Sequence, residues 1–105
     1  MKATKAEEIE GPTMKFAIVD DREPEANLVK ELIEAYADKN GLSIQLDCFP
    51  NGEAFLADFS AFAYDIVFMD IYMDGMNGVE TALEFRKTDT KSMLIFLTSS
   101  SEYMP

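Results

Sequence analysis

Four short apolar runs punctuate this chain: Lys15–Val19, Ser43–Phe49, Tyr64–Asp70 and Ser92–Thr98. Between them lie three segments whose apolar residues recur at helical spacing. This strict β-α-β-α-β-α-β alternation constrains the fold more than any other feature. Long helical crossovers join parallel strands, connect them right-handedly and cover both faces of one sheet. The runs ending at Asp70 and Thr98 are apolar at successive positions and read as strands buried on both faces. Ser43–Phe49 alternates instead, with Ile44, Leu46 and Cys48 on one side and Gln45 and Asp47 on the other. It reads as a half-covered strand at a sheet edge.

The intervening helices follow from spacing and end signals. Arg22-Glu23-Pro24 opens the first, with proline in the first turn, where its missing N–H costs nothing. Leu28, Val29, Leu32, Ile33 and Tyr36 form its buried face, and Asn40-Gly41 supplies a left-handed cap. After a Pro50-Asn51-Gly52 turn, Glu53 to Phe62 reads as a short helix carrying Phe55, Leu56 and Phe59. Asn77-Gly78 precedes a third, marked by Val79, Ala82, Leu83 and Arg86. Ser99-Ser100-Ser101-Glu102 resembles the start of a fourth, a serine cap followed by an acid. Residues 1–13 are polar, broken from the rest by Gly11-Pro12, and are expected to be a disordered leader or tag. Residues 14–105 are expected to form one domain with one core.

Composition removes several functions. Lys and Arg total 9 against 20 Asp and Glu, a formal charge of -11. Such a surface repels phosphate backbones, so direct nucleic-acid binding by this segment is not expected. With no histidine, Ser-His-Asp catalysis and His-ligated zinc are excluded. Cys48, the single cysteine, cannot form an internal disulfide and is expected to be a small buried hydrophobe. No apolar stretch is long enough to span a bilayer, and the first residues lack the apolar core of a signal peptide. The expected location is the cytoplasm.

The chemistry sits where strands end. In an open parallel sheet, ligands bind beyond the carboxyl ends of the strands, at the point where strand order reverses. Asp20, Asp21 and Asp70 all follow apolar strands at such ends. If the first and third strands are neighbours, three carboxylates converge in one crevice. Like charges that close raise one another's pKa unless a cation sits among them. Carboxylate oxygens with water and a backbone carbonyl suit Mg²⁺. Thr98 ends the fourth strand on the same sheet edge, where its hydroxyl can bond an oxygen of whatever attaches to Asp70. Aspartate can accept a phosphoryl group covalently, and phosphoryl transfer asks chiefly for positioning and charge neutralisation.

Ile18-Val19-Asp20-Asp21, Phe68-Met69-Asp70-Ile71-Tyr72-Met73, Met76-Asn77-Gly78 and Phe96-Leu97-Thr98-Ser99 resemble the signatures of the receiver domain of bacterial two-component response regulators. Asp-Ile-Tyr-Met and Leu-Thr-Ser-Ser are similar to receivers joined to LytTR-type DNA-binding domains. The resemblance implies a flavodoxin-like doubly wound α/β fold with strand order 2-1-3-4. It implies that Asp70 accepts a phosphoryl group from a sensor histidine kinase, with Mg²⁺ as cofactor. Asp21 matches the main metal-binding acid and Asp20 its neighbour, while Tyr72 matches the position whose backbone carbonyl completes the metal shell. Thr98 matches the hydroxyl that moves toward the phosphoryl group. Gly78 matches the glycine closing the loop. The side chains of Tyr72 and Ser100 match positions flanking the entrance.

Two departures accompany the match. Asp74 stands where the family often has proline after Met73. The family's fifth strand and helix, with a lysine that pairs with the phosphoryl group, have no counterpart in these 105 residues, and none is assigned that lysine's role. The chain therefore reads as a truncated receiver, with weak phosphorylation and with self-association through an exposed fourth strand as expectations. The output domain would lie outside this segment; a LytTR-type DNA-binding domain acting in transcription regulation is the expected one. Such a module is a phosphoryl acceptor rather than an enzyme, although it assists its own phosphorylation and dephosphorylation. One alternative is a protein-interaction module of receiver fold that is never phosphorylated. Another is an aspartyl-nucleophile phosphatase of the haloacid-dehalogenase type, which wants an acid two residues after the nucleophile, where this chain has Tyr72.

Overall fold

Alternating β-formers and helix-period segments do build a parallel sheet. The structure, a computed structural model, describes residues 13–98. Chain order is β1 (Thr13–Val19), α1 (Glu23–Asn40), β2 (Ser43–Phe49), α2 (Gly52–Asp58), β3 (Ile66–Asp70), α3 (Gly78–Arg86) and β4 (Met93–Leu97). The four strands pair in parallel in the order β2-β1-β3-β4, the expected 2-1-3-4. β1 begins at Thr13, one residue inside the expected leader. The rest of that leader and the expected fourth helix start lie outside the described residues.

Register sorts the side chains into two layers, because successive residues of a strand point to opposite faces. Ala17, Val19, Val67 and Met69 share one face and meet Phe55 of α2, Phe85 of α3, Tyr64 and Met73 in the main core. Phe55 is its hub, with ring centroids 5.3 Å from Phe49, 5.3 Å from Phe59 and 5.2 Å from Phe85. Ile18 is level with Cys48 on one side and Phe68 on the other, and this row faces α1. α1 packs on β1 and β2.

Burial on the helices corrects several expectations. Leu28, Leu32 and Tyr36 are 55%, 63% and 64% exposed. α1 turns Val29, Ile33 and the buried Ala37 inward instead, and among the described residues no second helix lies beside it on that face. On α3 the buried stripe is Gly78, Thr81, Ala82 and Phe85, while the expected Val79 and Leu83 are exposed. The small or polar members Gly78 and Thr81 hide this stripe from a hydrophobicity pattern. Thr81 satisfies its hydroxyl on the Asn77 carbonyl at 2.8 Å. α2 stops at Asp58, short of Phe62. Cys48 is exposed, not buried, because β2 is an outer strand.

Helix ends behave as their chemistry requires. Pro24 falls in the first turn of α1, and Gly41 closes it at φ 66°. Asn77 and Glu80 form a reciprocal capping box at α3: Asn77 Oδ1 accepts from the Glu80 N–H at 2.8 Å, and Glu80 Oε1 from the Asn77 N–H at 2.9 Å.

The amino ends of the strands are laced together by polar groups. Asp65 Oδ2 accepts from the Lys15 N–H at 2.8 Å, and the Asp65 carbonyl accepts from the Met93 N–H at 2.9 Å. Asp89, fully buried, accepts from the N–H groups of Phe62, Lys91 and Ser92 and from the Ser92 hydroxyl. The Ser92 hydroxyl also donates to the Tyr64 carbonyl. Phe62 holds a positive φ of 64°, a conformation costly for a non-glycine residue, and its N–H bond to Asp89 secures it. Burial pushes the Asp89 carboxyl up, but these donors outweigh it, so the group ends below the usual carboxylate range. Among the described residues no helix is long and apolar enough to cross a membrane.

Candidate functional site

Parallel pairing places the acids. Val19 is level with Met69, so Asp20 and Asp70, each one residue further along, lie side by side at the carboxyl edge of the sheet, one strand spacing apart. Both are nearly inaccessible, at 7% and 4%. Asp21 follows on the exposed loop. One carboxylate oxygen from each of the three lies within 4.8 Å of the others. The convergence expected from the sequence is therefore present.

Each acid also holds a loop N–H. Asp20 Oδ1 accepts from Arg22 at 2.9 Å and Asp70 Oδ1 from Tyr72 at 3.4 Å, both turns of the i to i+2 kind. Asp21 Oδ2 accepts from Asp74 at 3.0 Å, tying the first loop to the third. A proline at 74 could not make that bond, so Asp74 at this position lets the third loop be tied to the first.

Crowding perturbs the pair. Burial, then the neighbouring Asp20 charge, pushes the Asp70 carboxyl up to about 6. Burial likewise raises Asp20, partly offset by the Arg22 N–H. The proximity of the two carboxyls disfavours holding both charged at once.

Two clefts open beside the acids. One, of about 170 Å³, is lined by Asp20, Arg22, Glu25, Asp70, Leu97 and Thr98 among others. Thr98 therefore shares a cleft with Asp70, as its place beyond β4 suggested. The other, of about 530 Å³, has Asp21, Arg22, Tyr72 and Asp74 in its wall. Tyr72 is 39% exposed there. Ser100 lies outside the described residues.

The loop between β3 and α3 is closed at its base. The Gly78 N–H donates to the Ile71 carbonyl at 2.9 Å, and the Ile71 N–H to the Leu97 carbonyl at 3.0 Å. Sequence reasoning did not single out Glu53, whose Oε2 accepts from the Met76 N–H at 3.2 Å. Its separation of 23 residues from Met76 leaves no local pattern to find.

Three hard oxygen donors, two of them raised toward neutrality by burial, suit a small divalent cation of the Mg²⁺ type. Such an ion would offset the mutual repulsion of these carboxylates. The donor set fits poorly with softer metals, which prefer nitrogen or sulfur.

Comparison with known proteins agrees with this geometry. The family model described as "Response regulator receiver domain" matches residues 16–104. The response regulator TrrA from Thermotoga maritima, solved in complex with Mg(2+)-BeF, is 36% identical with a TM-score of 0.63, over 86% of this chain and 73% of that one. TrrA solved in complex with histidine kinase ThkA gives 33% identity and a TM-score of 0.60, over 88% of this chain and 74% of that one. The HemR receiver domain from Leptospira biflexa has a TM-score of 0.69 at 22% identity, a likeness of fold, over 83% of this chain and 65% of that one. Another solved chain, a coiled-coil fusion, is covered over only 53% of its length, so the segment spans between about half and three quarters of these chains. With a family model covering most of its length, the sheet order of that fold and three converged aspartates, this chain belongs to the response regulator receiver domain family.

Proposed function

We propose that this chain is the phosphoacceptor receiver of a response regulator and that Asp70 takes a phosphoryl group from a sensor histidine kinase. The observation that carries the proposal is the gathering of Asp20, Asp21 and Asp70 within 4.8 Å, with Asp20 and Asp70 lining a cleft shared with Thr98. Ionised Asp70 attacks phosphorus through a carboxylate oxygen. The phosphorus–nitrogen bond of the kinase phosphohistidine breaks, and its electron pair stays on the imidazole. The Tyr72 N–H steadies one Asp70 oxygen. The Thr98 hydroxyl donates to a phosphoryl oxygen. Asp20, Asp21, Asp70 and the Tyr72 backbone carbonyl would hold Mg²⁺, which supplies positive charge to the incoming phosphoryl oxygens.

Support comes from the TrrA structures, one with Mg(2+)-BeF and one with a histidine kinase. The module is an acceptor rather than an enzyme. It acts in the cytoplasm and passes its state to an output domain outside this segment. The LytTR-like flavour of its motifs favours a DNA-binding output and a role in transcription regulation. Tyr72, two residues after Asp70, disfavours the aspartyl phosphatase reading. Retention of all three acids and Thr98 disfavours a module that is never phosphorylated. Among the described residues β4 is an outer strand, and its pairing with a second copy would give self-association, detectable by light scattering.

The test is incubation with a small phosphodonor and Mg²⁺, read by intact mass and peptide mapping. One added phosphoryl group on Asp70, lost in Asp70→Asn and without Mg²⁺, is the expected result. Labelling elsewhere, or none with donor and cognate kinase alike, would overturn the proposal.

A further inference from the structure

The loop joining Asp70 to α3 carries the Tyr72 carbonyl assigned above to the cation. Two carboxylates from outside the loop grip its backbone. Asp21 takes the Asp74 N–H at 3.0 Å, and Glu53 takes the Met76 N–H at 3.2 Å. Gly75 makes the turn between them at φ 75°. A β-carbon there would come within 3.2 Å of Glu53 Oε2, so the Glu53 carboxylate rests against the apex of the turn.

The two grips differ in what else they must do. Asp21 belongs to the acid cluster, and its bond to the loop depends on a side chain shared with the cation. Glu53 has no place in that cluster. It stands in the first turn of α2, where a negative charge is favoured by the helix N-terminus. α2 is itself fixed by the Asn51 cap, whose Oδ1 accepts from the Ala54 N–H at 2.7 Å, and by Phe55 in the core. Glu53 thus reaches the far half of the loop from an anchored helix.

We propose that Glu53 is a positioning residue for the Asp70 site, holding the loop so that Asp21 and the Tyr72 carbonyl face one cation together. The inference rests on the function proposed above. It predicts that loss of the acceptor oxygen weakens divalent-ion binding without loosening the fold, since the bond is exposed and water can replace it on the Met76 N–H.

The experiment compares Glu53→Ala, Glu53→Met and Glu53→Gln with the parent. Mg²⁺ is titrated while the amide NMR shifts of Tyr72 and Asp74 are followed, and urea unfolding is measured without metal. Ala and Met remove the acceptor and are expected to raise the Mg²⁺ dissociation constant by roughly tenfold, the low end for outer-shell partners. Gln keeps an acceptor oxygen and is expected to stay within about twofold of the parent. The urea midpoints of the three variants, which all lose the same helix-terminal charge, should coincide. Parental affinity in Ala and Met, or equal weakening in Gln, would overturn the inference while leaving the proposed function intact. A parent that does not respond to Mg²⁺ would overturn both.

Discussion

Gly78 lies so close to Asp70 that a β-carbon at position 78 would come within 2.1 Å of the Asp70 carbonyl oxygen. The obstacle is backbone at the end of a buried strand, so it cannot swing aside. Gly78→Ala is therefore expected to lower stability by about 2–3 kcal/mol, the cost of forced backbone movement in a packed region. Urea denaturation measures that loss. Phosphodonor labelling of Asp70 should fall in the fraction that remains folded, because the displaced atoms carry the acceptor.

The raised Asp70 carboxyl makes stability depend on pH with a definite sign. Its folded pKa, about 6, lies above the ordinary aspartate value of 3.8. Between those values the native state binds more protons than the unfolded chain, so stability falls as pH rises through the window and levels off above it. Asp20, also raised, acts in the same direction. The loss by pH 7 is on the order of 2–3 kcal/mol. Asp70→Asn should then be more stable than the parent at pH 7, with the gap closing near pH 4. Unfolding midpoints across pH for the two proteins check this. A parent at least as stable as the variant at pH 7, without divalent ions, would contradict it.

Mg²⁺ should narrow the same gap. Binding to the folded state alone adds stability in proportion to the logarithm of ion concentration. Thermal unfolding with and without millimolar Mg²⁺ is expected to show a clear rise in Tm for the parent and a much smaller one for Asp70→Asn. Chelator should reverse the rise.

Asp89 supplies the opposite pH dependence at the other end of the sheet. Its carboxyl is held below the ordinary value, so its contribution is present above about pH 4 and is lost as pH falls through the folded pKa. Asp89→Ala would strip acceptors from three backbone N–H groups and a hydroxyl in a buried setting. A loss of about 3 kcal/mol or more is expected. Hydrogen exchange at Phe62, Lys91 and Ser92 should accelerate first.

On the proposed function, Thr98 should separate signalling from folding. It is exposed and lies beyond β4, so Thr98→Ala should leave urea stability within about 0.5 kcal/mol of the parent. Differences should emerge only after phosphorylation, as smaller amide shifts in the labelled protein. Thr98→Ser keeps the hydroxyl and should behave like the parent.

Much of this was readable from residue order. The alternation of strands and helices fixed the sheet, and two acids placed one residue beyond paired positions had to meet once β1 and β3 were neighbours. The helix faces were less legible. Leu28, Leu32 and Tyr36 have the spacing of a core stripe, yet burial depends on what packs against a helix, which spacing cannot encode. Gly78 and Thr81 are buried because they allow close approach, so a search for apolar residues passes over them. Glu53 acts through the Met76 N–H, 23 residues away, and Asp89 reaches the Phe62 N–H, 27 residues away, and backbone donors leave no mark in the one-letter text.

The strands all run the same way, and this divides labour between the two rims of the sheet. Asp20, Asp70 and Thr98 crowd one rim; Asp65, Asp89 and Ser92 knot the other. Reactivity and anchorage are thus separate inheritances. On the proposed function, an engineer could retune the lifetime of a phosphoryl group on Asp70 through the exposed Thr98 on one margin while leaving the Asp65, Asp89 and Ser92 knot on the opposite margin intact.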